Sequence, residues 1–161
     1  MSTYKTLGRR LAKQVAAQPI ARYVFYHLSR AGLLSDGIWK RLPVAGNFTV
    51  SIDNKAFQYV SVSDDGIGRA LYWSGIEAWE AETTPVYYDL ARQANVVVDV
   101  GANTGIYTLL ACVANANAKV YAFEPVPQVY ERLLENVQAN NWQNRCIVEN
   151  IAVSDKNGSV P

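Results

Sequence analysis

Asp99 and two glycines stand where an apolar run gives way to a helical pattern, a combination that can hold a ligand. The β-branched run at 96–98 leads into Asp99, and Gly101 and Gly105 follow. Such a run is typical of a buried parallel strand, and glycines let the backbone of a turn approach a ligand closely. Apolar residues with helical spacing then occupy 106–113, so the free N–H groups of a new helix would face the same point. The pattern predicts a strand, a tight turn and a helix that hold a nucleotide-like cofactor.

The glycine spacing distinguishes between two classes of cofactor. Dinucleotide sites require Gly-x-Gly-x-x-Gly, but here the spacing is Gly-x-x-x-Gly and Asn103 holds the middle position. A carboxylate at Asp99 would repel a pyrophosphate and would suit a cationic amine. S-adenosylmethionine carries an ammonium and a sulfonium and no phosphate. The sequence therefore favours S-adenosylmethionine over NAD.

A second predicted strand also ends in an acid. Glu124 follows the run at 119–123, where it can accept hydrogen bonds from both ribose hydroxyls of an adenosine. A charge-assisted hydrogen bond of that type contributes roughly 1.5–3 kcal/mol. NAD sites use an acid at the same place, so Glu124 does not discriminate between the cofactors. A third strand at 145–153 would bring Asn150, Ile151 and Ala152 beside the adenine.

Four motifs resemble the FkbM family of class I S-adenosylmethionine-dependent methyltransferases. They are Asp-Val-Gly-Ala-Asn-Thr-Gly-Ile-Tyr-Thr at 99–108, Tyr-Ala-Phe-Glu-Pro-Val-Pro at 121–127, Leu-Leu-Glu-Asn-Val at 133–137 and Asn-Ile-Ala-Val-Ser-Asp at 150–155. The resemblance covers residues 75–160. It implies a Rossmann-like α/β sheet and methyl transfer, usually to a hydroxyl oxygen of a sugar or secondary metabolite.

The residues and the resemblance together give a predicted cofactor site. Upstream, Glu80 lies in a segment similar to the family's aromatic–Glu segment, which implies a place beside the cofactor. No residue stands out as a catalytic base for the acceptor, and no Cys/His cluster predicts a metal. The predicted site consists of Glu80, Asp99, Gly101, Ala102, Asn103, Thr104, Gly105, Glu124, Pro125, Asn150, Ile151 and Ala152.

The resemblance implies a sheet of seven strands, of which these residues supply the first three. We therefore expect a chain truncated after the third core strand and inactive alone, because the acceptor half is missing. Residues 1–74 would form an accessory region and 75–161 the cofactor half-domain. The strand at 96–100 would expose an apolar edge, which predicts oligomers formed through that edge.

The accessory region is predicted to hold helices at 4–18 and 20–31 and a β-hairpin at 47–52 and 56–62. Residues 1–41 carry eight Lys or Arg against one acid, although the whole chain has a net charge of +1. This charge is consistent with a peripheral contact to an anionic membrane surface, or with a plain basic helical face. No nucleic-acid-binding motif accompanies it, so we expect no nucleic-acid partner.

Two further elements are predicted between the hairpin and the first core strand. Gly66 and Gly68 are expected in a plain turn. A helix is expected from Thr84 to about residue 93, with Val86, Tyr87 and Leu90 facing inward.

Cysteine usage and hydropathy bear on the compartment and the class of protein. The two cysteines, Cys112 and Cys146, are expected as core thiols, which fits a reducing, cytoplasmic location. No apolar run is long enough to span a membrane. Two rivals to a methyltransferase with a small-molecule or glycan acceptor stay open. They are an NAD-dependent oxidoreductase, which the glycine spacing disfavours, and a non-catalytic interaction module that uses the basic N-terminus.

Overall fold

The computed structural model describes residues 18–31, 33, 42–156 and 158. The predicted helix at 4–18 and most of the basic N-terminal residues therefore lie outside the described residues. The helices are α1 (Pro19–Arg30), α2 (Gly66–Ser74), α3 (Thr83–Gln93), α4 (Ile106–Ala114) and α5 (Pro127–Ala139), and a 3-10 turn spans Ile76–Ala78. The strands are β1 (Gly46–Ile52), β2 (Lys55–Ser61), β3 (Val96–Val100), β4 (Lys119–Phe123) and β5 (Cys146–Glu149).

The chain divides into two compact units. One unit comprises residues 1–54 and 59–81, and the other comprises 55–58 and 82–161. The first contains α1, α2 and most of the β1–β2 hairpin, which confirms the predicted hairpin and second helix. The predicted boundary at residue 74 stays a prediction.

The second unit contains the parallel sheet that the sequence predicts. Its strand order is β3-β4-β5, and both neighbouring pairs are parallel. Asp99 pairs with Ala122, and Phe123 pairs with Glu149, so the carboxyl ends of all three strands meet at one edge. The helices between the strands bury apolar side chains against it. Residues at 0 % exposure are Leu109, Leu110, Val120, Ala122, Leu133 and Val137. This arrangement confirms the α/β class as part of a Rossmann-like fold.

One of the two edge strands of this sheet, β3, carries the apolar exposure that the sequence predicts. Val96, Val98 and Val100 are 56 %, 59 % and 58 % exposed. The free edge of a strand and an uncovered apolar row both favour association. Oligomers formed through this edge stay a prediction.

The inward face predicted for α3 is wrong. Val86 and Leu90 are exposed, and Tyr87 is only half-buried. The buried residues are instead Thr84, Tyr88 and Ala91, which line one stripe of the helix at spacings of four and three residues. α3 packs against α4, and Val86 and Leu90 lie outside the buried stripe.

The plain turn predicted at Gly66 and Gly68 is also wrong, because α2 begins there. Asp65 caps the helix by accepting a hydrogen bond from the Gly68 N–H at 3.0 Å. A Cβ on Gly68 would come within 2.2 Å of Ser61 Oγ, so this glycine serves close packing against β2.

The sequence expectation that both cysteines are core thiols is met in the described residues. Cys112 and Cys146 are both buried free thiols. Within the part of the chain that the structure describes, no helix is long and apolar enough to cross a membrane.

Candidate functional site

The turn between β3 and α4 is held in an uncommon backbone shape. Gly101, Asn103 and Gly105 all have positive φ, at 74°, 52° and 93°. Glycine adopts this region freely, and asparagine tolerates it better than most residues. The turn therefore depends on the residue types that the sequence places there.

Each N–H group of this turn already has an acceptor within the chain. The Gly101 and Ala102 N–H groups both donate to Phe123 O, at 2.9 and 3.0 Å. The Asn103 N–H donates to Glu124 Oε2 at 2.9 Å. The Thr104 N–H donates to Asn103 Oδ1 at 2.8 Å, and the Gly105 N–H donates to Ala102 O at 2.9 Å. Pyrophosphate sites bind their ligand through free turn and helix N–H groups, and the N–H groups at 101–105 are not free for that purpose.

The two glycines of the turn face different surroundings. A Cβ on Gly101 would meet no described atom within 4 Å, whereas a Cβ on Gly105 would lie 2.5 Å from Leu133 Cδ1. Gly101 therefore borders open space. Gly105 instead lets α5 pack closely against the turn.

Asp99 lies at the carboxyl end of β3, where the start of α4 fixes its orientation. Thr108 Oγ1 donates to Asp99 Oδ2 at 2.6 Å. Burial raises the pKa of Asp99 above its ordinary value of 3.8, hydrogen bonds from Thr108 oppose this shift, and the Glu124 charge adds to it. A partly buried carboxylate under these conditions is stabilised by a cation. It also places an anion of the protein itself beside the start of α4, which disfavours a bound phosphate there.

Glu124 is only 6 % exposed and has a structural role, while its predicted ribose contact stays a prediction. Oε2 accepts from Asn103 as described, and Oε1 accepts from the Val126 N–H at 3.0 Å. Each carboxylate oxygen has a second lone-pair site, so these two N–H groups do not use all of its accepting capacity. The acid thus joins the glycine turn to the residues that follow β4.

The remaining predicted residues after β4 and β5 lie at the same sheet edge. Asn150 Nδ2 donates to the Glu124 backbone carbonyl at 2.8 Å, which links the ends of the two strands. Pro125, Ile151 and Ala152 are all exposed, as a wall that contacts a ligand requires. Glu80 belongs to the first unit, where it is exposed with a φ of 42°. Its role beside a cofactor stays a prediction.

Sequence reasoning missed three residues that support the site. Thr108 binds Asp99 as above, and Tyr87 Oη donates to Tyr107 O at 3.0 Å in the first turn of α4. Burial, followed by the Asp99 charge, raises the pKa of Tyr87, so its hydroxyl stays protonated as a donor. The third is Asn136, which is fully buried and donates to Thr104 O at 2.8 Å. A polar residue within the apolar stripe of α5 is the signal that could have found it.

Comparison with curated proteins identifies two methyltransferases with similar sequence. The chain is 39 % identical over 67 residues to the 31-O-demethyl-FK506 methyltransferase FkbM of Streptomyces tacrolimicus. The aligned region covers 42 % of the chain and 25 % of that protein. The chain is also 37 % identical over 57 residues to the hexuronic acid methyltransferase AglP of Haloferax volcanii. This second aligned region covers 35 % of the chain and 23 % of that protein. The resemblance to FkbM-type methyltransferases is thereby confirmed over about two fifths of the chain.

The extent of these matches is partial. The chain spans about a quarter of the length of the curated relatives that it matches. No family model matches the chain.

Solved structures give likenesses of the same limited extent. A SAM-dependent methyltransferase from Agrobacterium tumefaciens superposes with a TM-score of 0.44 and 12 % identity, over 66 % of this chain and 32 % of that one. A methyltransferase from Geobacter sulfurreducens superposes with a TM-score of 0.40 and 22 % identity, over 44 % of this chain and 38 % of that one. The α/β assignment rests on the parallel strand order of the chain itself.

Proposed function

We propose that the chain is the cofactor-binding part of an S-adenosylmethionine-dependent methyltransferase. The observation that carries the proposal is the pairing of Asp99, a partly buried carboxylate with a raised pKa, with a turn whose N–H groups are all engaged. Such a site attracts a cationic group and offers little to a phosphate. S-adenosylmethionine fits both conditions, and sequence similarity to FkbM-type methyltransferases supports the same choice.

The roles of the residues follow from their places along the sheet edge. Asp99 would bind the ammonium of the methionine end, with the open space beside Gly101 receiving the ligand backbone. Glu124 would accept the ribose hydroxyls while it holds the turn. The segment Asn150–Ala152 would form the adenine wall. When bound, the cofactor supplies a methyl group already activated by its sulfonium, so the chain contributes mainly position.

The acceptor that we propose is an oxygen of a small molecule or a sugar. The support is in the names of the two curated relatives, which specify a demethylated FK506 and a hexuronic acid. No described residue is assigned as the acceptor base.

Calorimetric titration with S-adenosylhomocysteine tests the cofactor assignment directly. The experiment uses the full chain, with NAD as the competing ligand and Asp99→Ala as the site variant. Asp89→Ala is the matched control, because the Asp89 side chain is 71 % exposed on α3 and lies in a surface pair with Arg92.

We expect saturable binding of S-adenosylhomocysteine that is lost in Asp99→Ala and kept in Asp89→Ala, with no binding of NAD. Preference for NAD would overturn the proposal in favour of a dinucleotide enzyme. A folded chain that binds neither ligand would leave only an interaction module.

A further inference from the structure

Asn136 is a buried polar side chain on the apolar stripe of a helix. It is 0 % exposed and shares this stripe of α5 with Leu133 and Val137. Burying an amide is costly unless its hydrogen bonds are made, so an apolar residue would suit the packing of this position better. Its Nδ2 donates to Thr104 O at 2.8 Å, across 32 residues of sequence. The amide therefore serves a contact that the helix itself does not need.

We infer that Asn136 is a positioning residue that sets the shape of the cofactor turn. The inference rests on the proposed function, because Asn136 acts through the turn and not on the ligand. The peptide group between Thr104 and Gly105 is held at both ends. Its carbonyl accepts from Asn136, and its N–H donates to Ala102 O at 2.9 Å. These two hydrogen bonds fix the peptide plane immediately before Gly105, where φ is 93°.

The neighbouring turn of α5 supports the same point by packing. Leu133 is fully buried and lies against Gly105, so closely that a Cβ there would come within 2.5 Å of its Cδ1. One helix thus contacts two consecutive turn residues, Thr104 through a hydrogen bond and Gly105 through van der Waals contact. A polar bond with directional geometry adds what packing cannot, because it selects one orientation of the peptide plane.

Asn140, one helical turn later, provides a matched control. Its Nδ2 donates to Gln58 O and to Asn136 O, both at 2.8 Å, and its Oδ1 accepts from the Gln58 N–H at 2.7 Å. It therefore makes three hydrogen bonds from the residue that directly follows α5. None of these three bonds reaches the glycine turn.

The experiment compares Asn136→Ala with Asn140→Ala in the full chain. For each we would measure the affinity for S-adenosylhomocysteine, the melting temperature, and hydrogen exchange of the Gly105 and Ile106 amides. Both variants should melt at lower temperature. Only Asn136→Ala should weaken binding, by about three- to tenfold, the size expected for one hydrogen bond, and only it should speed exchange in the turn.

Equal effects of the two variants on affinity and on turn exchange would overturn the inference, because Asn136 would then be merely structural. If Asn136→Ala does not fold, Asn136→Leu keeps a similar side-chain volume and removes the donor, and the same results are expected from it. Should the parent chain bind no S-adenosylhomocysteine, the proposed function fails. The exchange of Gly105 and Ile106 would still decide whether Asn136 holds the turn.

Discussion

Thr108 donates a hydrogen bond from its hydroxyl to the carboxylate of Asp99 at 2.6 Å. A residue in the first turn of α4 thus orients the carboxylate that lies before the glycine turn. This hydrogen bond connects the end of β3 to the start of α4 on either side of the turn, next to the predicted cation site. Because burial raises the pKa of Asp99 in spite of Thr108, this carboxylate is costly to keep ionised without a ligand.

Asp99→Asn should therefore stabilise the chain and weaken its cofactor binding. A carboxyl whose pKa is raised on folding contributes stability below its unfolded pKa, and that contribution is lost as pH rises through the folded value. At neutral pH the asparagine avoids this cost and can still accept from Thr108. We expect a higher melting temperature near pH 7 and an affinity for S-adenosylhomocysteine reduced by more than about tenfold, as for a lost charge-assisted bond. A lower melting temperature would contradict the burial argument.

Cofactor binding should also depend on acid pH through Asp99. The ionised carboxylate binds an ammonium, so protonation competes with the ligand as pH falls through the raised pKa of Asp99, above 3.8. Affinity for S-adenosylhomocysteine should be flat near neutrality and decline on acidification, with proton release on binding in the declining range. Titrations in buffers of different ionisation enthalpy would detect these protons. In Asp99→Asn this acid dependence should be weaker than in the parent chain, because the contribution of Asp99 is removed.

The sequence predicts the parts of this site that depend on local pattern. The β-branched run, the glycine turn and the acids at two strand ends are all local, and they predict the parallel sheet and the location of the site. Packing partners are not local. Contact with α4 determines which stripe of α3 is buried. The prediction that Val86 and Leu90 face inward is wrong for this reason. For the same reason the support from Asn136, which is 32 residues from Thr104, could not be read from spacing.

The two glycines of the turn should respond differently to alanine. Either substitution strains a residue with positive φ, at a cost of roughly 1–2 kcal/mol. Gly105→Ala adds a clash with buried Leu133, so it should lose more stability than Gly101→Ala in chemical denaturation. The double variant Gly105→Ala/Leu133→Ala should not lose the full sum of its single effects, since removing Leu133 Cδ1 removes the clash. Gly101→Ala should instead show its larger effect on binding S-adenosylhomocysteine.

The exposed valines of β3 should support self-association. Val98, at 59 % exposure, lies between two other exposed valines, Val96 and Val100, on an edge strand of the sheet. A lysine at that position opposes edge pairing and adds charge to the apolar row. Sedimentation velocity of the chain should show concentration-dependent oligomers that Val98→Lys reduces. Thr83→Lys, at an exposed position outside the sheet, is the charge-matched control, and an equal reduction there would point to net charge alone.

Glu124 should respond to substitution in two separable ways. Glu124→Ala removes the acceptor of two backbone N–H groups and the predicted ribose acceptor together. It should lower the free energy of unfolding by about 1–3 kcal/mol, the cost of leaving buried donors unpaired. It should also weaken the binding of S-adenosylhomocysteine by more than about tenfold. Glu124→Gln keeps one acceptor oxygen and loses the charge, so it should recover part of the stability while binding stays weak. Because Glu124 holds the turn and is also proposed to bind the ribose, the ribose role is supported only if Glu124→Gln loses more free energy of binding than free energy of unfolding. If Glu124→Gln binds S-adenosylhomocysteine as tightly as the parent chain does, Glu124 only holds the turn.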